Sequence, residues 1–275
     1  MRVTINQIKE MKHKGEKIAM LTAYDFATAK IVDEAGIPLI LVGDTLGEVV
    51  LGYESTIRVT MEEMLHHTKA VVRGTKQAMV IGDMPFMTYH ISVDDALYNA
   101  ARFIQKGGTQ AVKLEGGVNV AEKVKRIVEC GIPVMGHIGL TSQSIYQLGG
   151  HKIQGKTPEA AARLLEDAKA LEKAGAFAIV LETVPAPLAA LITQKIGIPT
   201  IGIGAGVGCD GQVLVINDLL GLSTGYIPKH AKQYAKLSDI MSNAITQYYN
   251  EVKNGSFPTQ EQSFSMDESI LAELK

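Results

Sequence analysis

Six apolar runs in this 275-residue chain end on an ionisable side chain. Asp25 closes MLTAYD, Asp44 LILVGD, Asp83 MVIGD, Glu115 AVKLE, His137 VMGH and Glu182 IVLE. A single aspartate at the end of a strand is a common helix cap or turn residue. Several carboxylates converging on one pocket are a different matter, because they repel one another unless a cation sits among them. Asp44, Asp83 and Glu115 supply hard oxygen donors, with no thiolate and at most one histidine nearby. Such a set favours Mg²⁺, or Mn²⁺, over zinc. Lys113 lies two positions before Glu115, so in a strand both side chains project to the same side. Beside a metal and acids this lysine suits a substrate carboxylate, and a Schiff-base nucleophile is its other reading.

Elements that could position these groups recur along the chain. Gly36-Ile37-Pro38, Gly131-Ile132-Pro133 and Gly197-Ile198-Pro199 each follow a helix-like segment and precede a short apolar run. Glycine tolerates the turn that ends a helix, and proline just beyond it stops the helix from continuing. Counting Ile18–Thr22, Leu39–Val42, Ala78–Ile81, Ala111–Leu114, Val134–Met135, Ala178–Leu181, Thr200–Ile203 and Val213–Ile216, eight buried parallel strands are expected. Between them, Thr60 and Ser92 each precede an acid by three residues, as in a capping box, and Asn119 and Thr157 are further helix N-caps. Eight such alternations at roughly 34 residues each predict a single (β/α)8 barrel domain over 1–275, with an open doubly wound sheet as the rival. Lys229–Lys253 reads as an extra helix and Ser256–Met266 as an irregular tail. In a barrel, the loops after the strands form the active face.

Composition narrows the function. The 27 basic and 29 acidic residues nearly balance, and no basic run occurs, so nucleic acid is not expected as a partner. Cys130 and Cys209 are too few for a disulfide framework. Neither a signal peptide nor a membrane span is evident, which predicts a cytoplasmic protein. The glycines of GIGAGVG (202–208) fail the dinucleotide spacing, because Val207 and Cys209 stand where glycine is needed. They read instead as a tight loop that a ligand can approach. The polar stretch Gly139–Lys156 comes after a strand and reads as an ordered loop or a lid. Met61, Met64, Met84 and Met87 are expected to pack, and His66 and His67 to have no role.

These segments resemble one family. TAYD (22–25), VGDTLGEVVLG (42–52), GDMPF (82–86), AVKLEGG (111–117), GHIGLT (136–141) and QLGGHKIQGK (147–156) are similar to ketopantoate hydroxymethyltransferase. LETVP (181–185), IGIGAG (201–206), CDGQVLV (209–215) and SFPTQEQSF (256–264) extend the likeness over nearly the whole chain. Departures are Thr45 for a usual serine, Glu48 for methionine, and Ser142, Tyr146 and His151 in the loop. The resemblance implies a barrel of the phosphoenolpyruvate mutase/isocitrate lyase type. It also implies hydroxymethyl transfer from 5,10-methylenetetrahydrofolate to 3-methyl-2-oxobutanoate through a Mg²⁺-stabilised enolate. The product would be 2-dehydropantoate, on the route to pantothenate and coenzyme A. By motif position, Asp44, Asp83 and Glu115 correspond to the site for one Mg²⁺ per subunit. Thr45 and Lys113, with Asp44, Asp83 and His137, correspond to ketoacid contacts, and Glu182 to the general base. A decamer is implied as well.

The chemistry of the residues is consistent with this. A 2-oxo acid can chelate Mg²⁺ through its keto and carboxylate oxygens, and a metal acting as Lewis acid stabilises the charge left when a base takes the C3 proton. Glu182 lies across the mouth from Asp44, and burial among apolar groups would raise its proton affinity towards that of a working base. Two other readings remain at this point. A Mg²⁺-dependent carbon–carbon lyase of the same superfamily would carry a KKCGH-like loop, which is absent. A non-catalytic binding barrel would use the strand-end acids only as caps.

Overall fold

In the computed structural model, which describes residues 1–223, 227–272 and 274, eight parallel strands pair in chain order and close into a barrel. They are β1 (Ile18–Thr22), β2 (Leu39–Val42), β3 (Met79–Asp83), β4 (Ala111–Glu115), β5 (Val134–Gly139), β6 (Ala178–Glu182), β7 (Thr200–Ile203) and β8 (Gly211–Leu214). Closure runs through the β8–β1 register Ile18↔Gly211 to Leu21↔Leu214. Residue 211 must be glycine there, because a Cβ would collide with the carbonyl oxygen of Ile18. The open-sheet alternative is excluded. The last strand begins at Gly211 rather than Val213, since pairing across the seam and not apolarity alone sets its limits.

Strand periodicity sorts the side chains into two layers. Ile40, Val42, Val80, Val112, Leu114, Ile179 and Leu181 face outward and join the helices in one apolar cluster. Ile18, Met20, Leu39, Leu41, Met79, Ile81, Ala111, Met135, Ala178, Val180, Ile201 and Val213 fill the barrel, with Ile8 of the helix Ile5–Lys14 closing the lower end. Lys113 and Glu115 continue the inward parity of Ala111, Asp83 that of Met79 and Ile81, His137 that of Met135, and Glu182 that of Ala178 and Val180. The same interior that is apolar below therefore becomes ionisable at its upper end.

The helices start largely as their capping residues dictate. Thr60 forms the full reciprocal capping box with Glu63, and Thr157 accepts from Ala160 N. Ser92 accepts from Asp95 N and donates its hydroxyl to Asp95 Oδ2, without the reciprocal bond from its own amide. Asn119 is not an N-cap: its side chain accepts from Gly117 N, and the helix Ala121–Glu129 begins after Val120. Met87 does not pack but is exposed, with φ 66°. Asp25, one of the six expected strand-end groups, is exposed and caps the helix Phe26–Glu34 through Thr28 N at 2.8 Å. It does not reach the mouth. The extra helix runs over Leu237–Asn254 rather than from Lys229, because the preceding chain is tied back onto the barrel by Tyr234 N to Leu219 O at 2.8 Å. A five-residue helix, Glu268–Ala272, comes after the tail. Among the described residues no helix is long and apolar enough to cross a membrane.

Candidate active site

The ionisable ends of β3 to β6 and the residues just after β2 meet in one narrow cavity of about 50 Å³. Asp44, Thr45, Asp83, Lys113, Glu115, His137 and Glu182, each expected from the sequence, all line it. Asp44 is 3%, Asp83 1%, Lys113 4%, Glu115 5% and His137 2% exposed, so water screens this cluster poorly. Glu182 keeps 20% of its side chain accessible and stands at the rim rather than sunk among apolar groups.

Contacts within the cluster are specific. Lys113 Nζ donates to Asp83 Oδ1 at 2.7 Å, and the Asp44 amide donates to Asp83 Oδ2 at 3.2 Å. His137 lies between two acids, with Nδ1 3.5 Å from Glu115 Oε1 and Nε2 3.3 Å from Glu182 Oε2. Both nitrogens are within ion-pair distance, but neither meets hydrogen-bond geometry, so this buried imidazole is unsatisfied. Burial first, then the charge of Asp83, raises the Asp44 carboxyl to about 7 against the pull of Lys113 and Gln143. Burial likewise pushes Glu115 well above the usual carboxylate range; Lys113 opposes this, and Asp44 and Asp83 add to it. For Lys113 burial acts downward, but Asp83, Glu115 and Asp44 outweigh it and hold its proton above the ordinary lysine range. One lysine thus faces four carboxylates, and the cavity carries an excess of negative charge that a further cation would relieve.

Two residues that the strand-end pattern does not reveal complete the site. Gln143, 3% exposed, comes from the loop after β5. Its Nε2 donates to Asp44 Oδ2 and to Met84 O, both at 2.9 Å, and its backbone amide donates to Glu115 Oε2 at 3.1 Å. Tyr89, fully buried, comes from the loop after β3; its hydroxyl donates to Gln143 Oε1 at 2.7 Å and accepts from Glu115 N at 3.2 Å. Both are neutral residues in loops, and only their burial marks them. Asp44 Oδ1 and Glu115 Oε1, the other oxygens of those carboxylates, accept no hydrogen bond among the described residues. The loop 139–156 is not uniformly open: Ser142–Ser144 and Ile145–Leu148 form helical turns, and Gln143 anchors its first part. A wider pocket of about 680 Å³ adjoins the cavity at Glu115 and presents Phe86, Tyr89, His90 and Tyr146. Neither cysteine lines the cavity; Cys130 is exposed, and Cys209 is buried elsewhere.

A family model described as ketopantoate hydroxymethyltransferase matches residues 2–260. The chain belongs to that family. Within it, the 3-methyl-2-oxobutanoate hydroxymethyltransferase of Dehalococcoides mccartyi is 68% identical over 275 residues, spanning 100% of this chain and 98% of that protein. Among solved structures, 2,3-dimethylmalate lyase, a PEP mutase/isocitrate lyase superfamily member, superposes with TM-score 0.57 at 15% identity, over 100% of this chain and 95% of that one. Phosphonopyruvate hydrolase in complex with oxalate and Mg²⁺ gives TM-score 0.60 at 13% identity, over 98% and 95% of the two chains. At these identities the structural likeness is one of fold. Membership of the hydroxymethyltransferase family makes the chain an enzyme and its inner cavity the candidate active site.

Proposed function

We propose that this ketopantoate hydroxymethyltransferase family member transfers a hydroxymethyl group from 5,10-methylenetetrahydrofolate to 3-methyl-2-oxobutanoate, giving 2-dehydropantoate for pantothenate and coenzyme A synthesis. The observation that carries the reading is the division of labour in the cavity. Three buried carboxylates and a lysine lie deep inside, while Glu182 stands apart at the rim, 3.3 Å from His137.

The donor set suits Mg²⁺. Among the described residues no three His, Cys, Asp or Glu side chains close tightly enough to cage an ion. Mg²⁺ does not require a cage, since it commonly takes one or two carboxylates and fills its octahedron with water and substrate oxygens. Asp44 and Glu115 each keep one oxygen without a hydrogen bond, and the excess negative charge has no other partner. Asp44, Asp83 and Glu115 would hold the ion. Bound there, Mg²⁺ would act as a Lewis acid on the keto oxygen and offset the charge that accumulates as C3 loses its proton.

The chain's own groups supply the rest. An ammonium has three donors, and Lys113 uses one on Asp83, leaving two for the ketoacid carboxylate. Thr45 borders the same space and offers its hydroxyl and backbone amide. Glu182 accepts the C3 proton, and His137 stands between that carboxylate and Glu115. Water cleaves the two C–N bonds of the folate methylene, leaving tetrahydrofolate and a formaldehyde equivalent; the carbon nucleophile adds to that carbonyl carbon, and its oxygen takes up a proton to become the new hydroxyl. The flat folate ring has space and aromatic partners in the wider pocket. A cytoplasmic homo-oligomer, a decamer, belongs to the same reading. The association part of that reading is supported by the exposed apolar side chains Ile240, Met241, Ile245, Tyr248 and Tyr249 on the helix Leu237–Asn254.

Deuterium exchange at C3 of 3-methyl-2-oxobutanoate, monitored by NMR, tests the proposal. Exchange should require Mg²⁺ and should fall about 10²–10⁴-fold in Glu182→Gln, the usual range for losing a general base. Ketoacid binding should survive in that variant. Normal exchange in Glu182→Gln would move the base to His137, and exchange unaffected by EDTA would remove the metal from the reaction.

A further inference from the structure

The loop after β5 places Ser142 on the cavity wall and Gln143 just behind it, and every polar atom of the Gln143 side chain is committed. The Met84 carbonyl can only accept, so the nitrogen of the Gln143 amide must face it; the same nitrogen then donates its second hydrogen to Asp44 Oδ2. Gln143 Oε1 receives the Tyr89 hydroxyl, whose own lone pair is taken by the Glu115 amide. The orientation of the amide is therefore dictated from three sides by buried groups. Its backbone amide adds a bond to Glu115 Oε2. One residue thus ties a single oxygen on each of two cavity-lining carboxylates, and leaves Asp44 Oδ1 and Glu115 Oε1 without a hydrogen bond among the described residues.

We propose that Gln143 is a positioning residue that orients the Asp44 and Glu115 carboxylates for a divalent cation, with Tyr89 locking its amide. The inference rests on the reading of the cavity as a Mg²⁺ site. Two features favour it over a purely structural anchor. An anchor for a loop needs only the Met84 carbonyl and the backbone amide, whereas here the side chain also spends a donor on an acid that repulsion would otherwise turn away. Partners that hold ligand carboxylates in place typically change metal affinity when removed. The arrangement also links the loop to the ion, because any movement of Gln143 releases both carboxylates together.

The test uses the full-length chain and needs no turnover. Mg²⁺ binding is measured by isothermal titration calorimetry, and Mn²⁺ binding by electron paramagnetic resonance, in the parent, Gln143→Met and Tyr89→Phe. Methionine keeps the length and bulk of glutamine but donates nothing. The expected result is about a 10- to 100-fold loss of affinity in Gln143→Met, and a smaller loss in Tyr89→Phe, which keeps the ring and removes only the lock. Mg²⁺ should also slow proteolysis within 139–156 in the parent but not in Gln143→Met, a response that a merely structural anchor would not couple to metal. Affinity within twofold of the parent in a folded Gln143→Met overturns the inference. If that variant does not fold, unchanged affinity in Tyr89→Phe overturns it instead. Absence of any Mg²⁺ or Mn²⁺ binding by the parent would refute the metal reading itself, a result distinct from parent and variant binding alike.

Discussion

Removing the charge of Asp44 should stabilise the metal-free protein at high pH, and metal should offset much of that gain. The carboxyl is 3% exposed. Burial first and the neighbouring Asp83 second hold it at about 7, whereas an unfolded aspartate titrates near about 3.9. Between these values the folded protein binds more protons than the unfolded chain. Its metal-free stability therefore falls as pH rises through that window, and the full contribution is present only below the lower value. A gap of about three pH units at 1.36 kcal/mol each makes the cost of ionising this site roughly 4 kcal/mol by pH 8. Asp44→Asn has no proton to lose and can still accept from Gln143. The two proteins should thus be equally stable near pH 4, while the Asn variant should be more stable by about 4 kcal/mol at pH 8. Urea unfolding in EDTA at several pH values measures the difference. Excess Mg²⁺ should narrow the gap to between about 1 and 2 kcal/mol, since an ion at a hundred times its dissociation constant adds about 2.7 kcal/mol to whichever folded state binds it. Equal stability of the two proteins at pH 8 in EDTA would refute the view that Asp44 carries an uncompensated buried charge.

Lys113→Ala leaves Asp83 buried without its cation, so urea unfolding at pH 8 should show a loss of about 3–5 kcal/mol. In the same variant KM for the ketoacid should rise more than KM for the folate, and equal rises would point to general damage. Gly139 sits at φ 99° against the carbonyl oxygen of Glu182. Gly139→Ala should therefore shift the end of β6, costing about 1–3 kcal/mol of thermal stability and lowering C3 exchange; unchanged exchange would show that this backbone contact does not place Glu182. Asp25→Ala removes a helix cap and nothing else, so melting should report about 1 kcal/mol lost with turnover unaltered, and a large fall in turnover would return Asp25 to the active site.

Much of the barrel was legible in the one-dimensional pattern. Glycine and proline mark where helices stop, and runs of β-branched residues mark the strands beyond them, because these are constraints on local backbone geometry. Inward placement of Lys113, Glu115, Asp83, His137 and Glu182 also comes from period-two alternation once the apolar neighbours of each are known to fill the barrel. Asp25 and Asp44 show the limit of such reasoning. Each stands after a strand and a short turn, yet Asp25 finds the amide of Thr28 within its own helix, whereas Asp44 is drawn in towards Asp83 and Gln143. That difference depends on which partners lie within reach, and the partners of Asp44 are 39 and 99 residues away in the chain. The limits of β8 and the late start of the helix Leu237–Asn254 were decided in the same way, by the seam with β1 and by the bond from Tyr234 to Leu219. Gln143 and Tyr89 carry no charge or motif that singles them out, and only the closed barrel brings their loops over the same carboxylates. The sequence by itself determined the kinds of groups available and the faces on which the strands present them, because both derive from covalent identity and backbone period. Tertiary structure alone decided which of those groups share one low-dielectric space, because burial and hydrogen-bond partners belong to the assembled barrel.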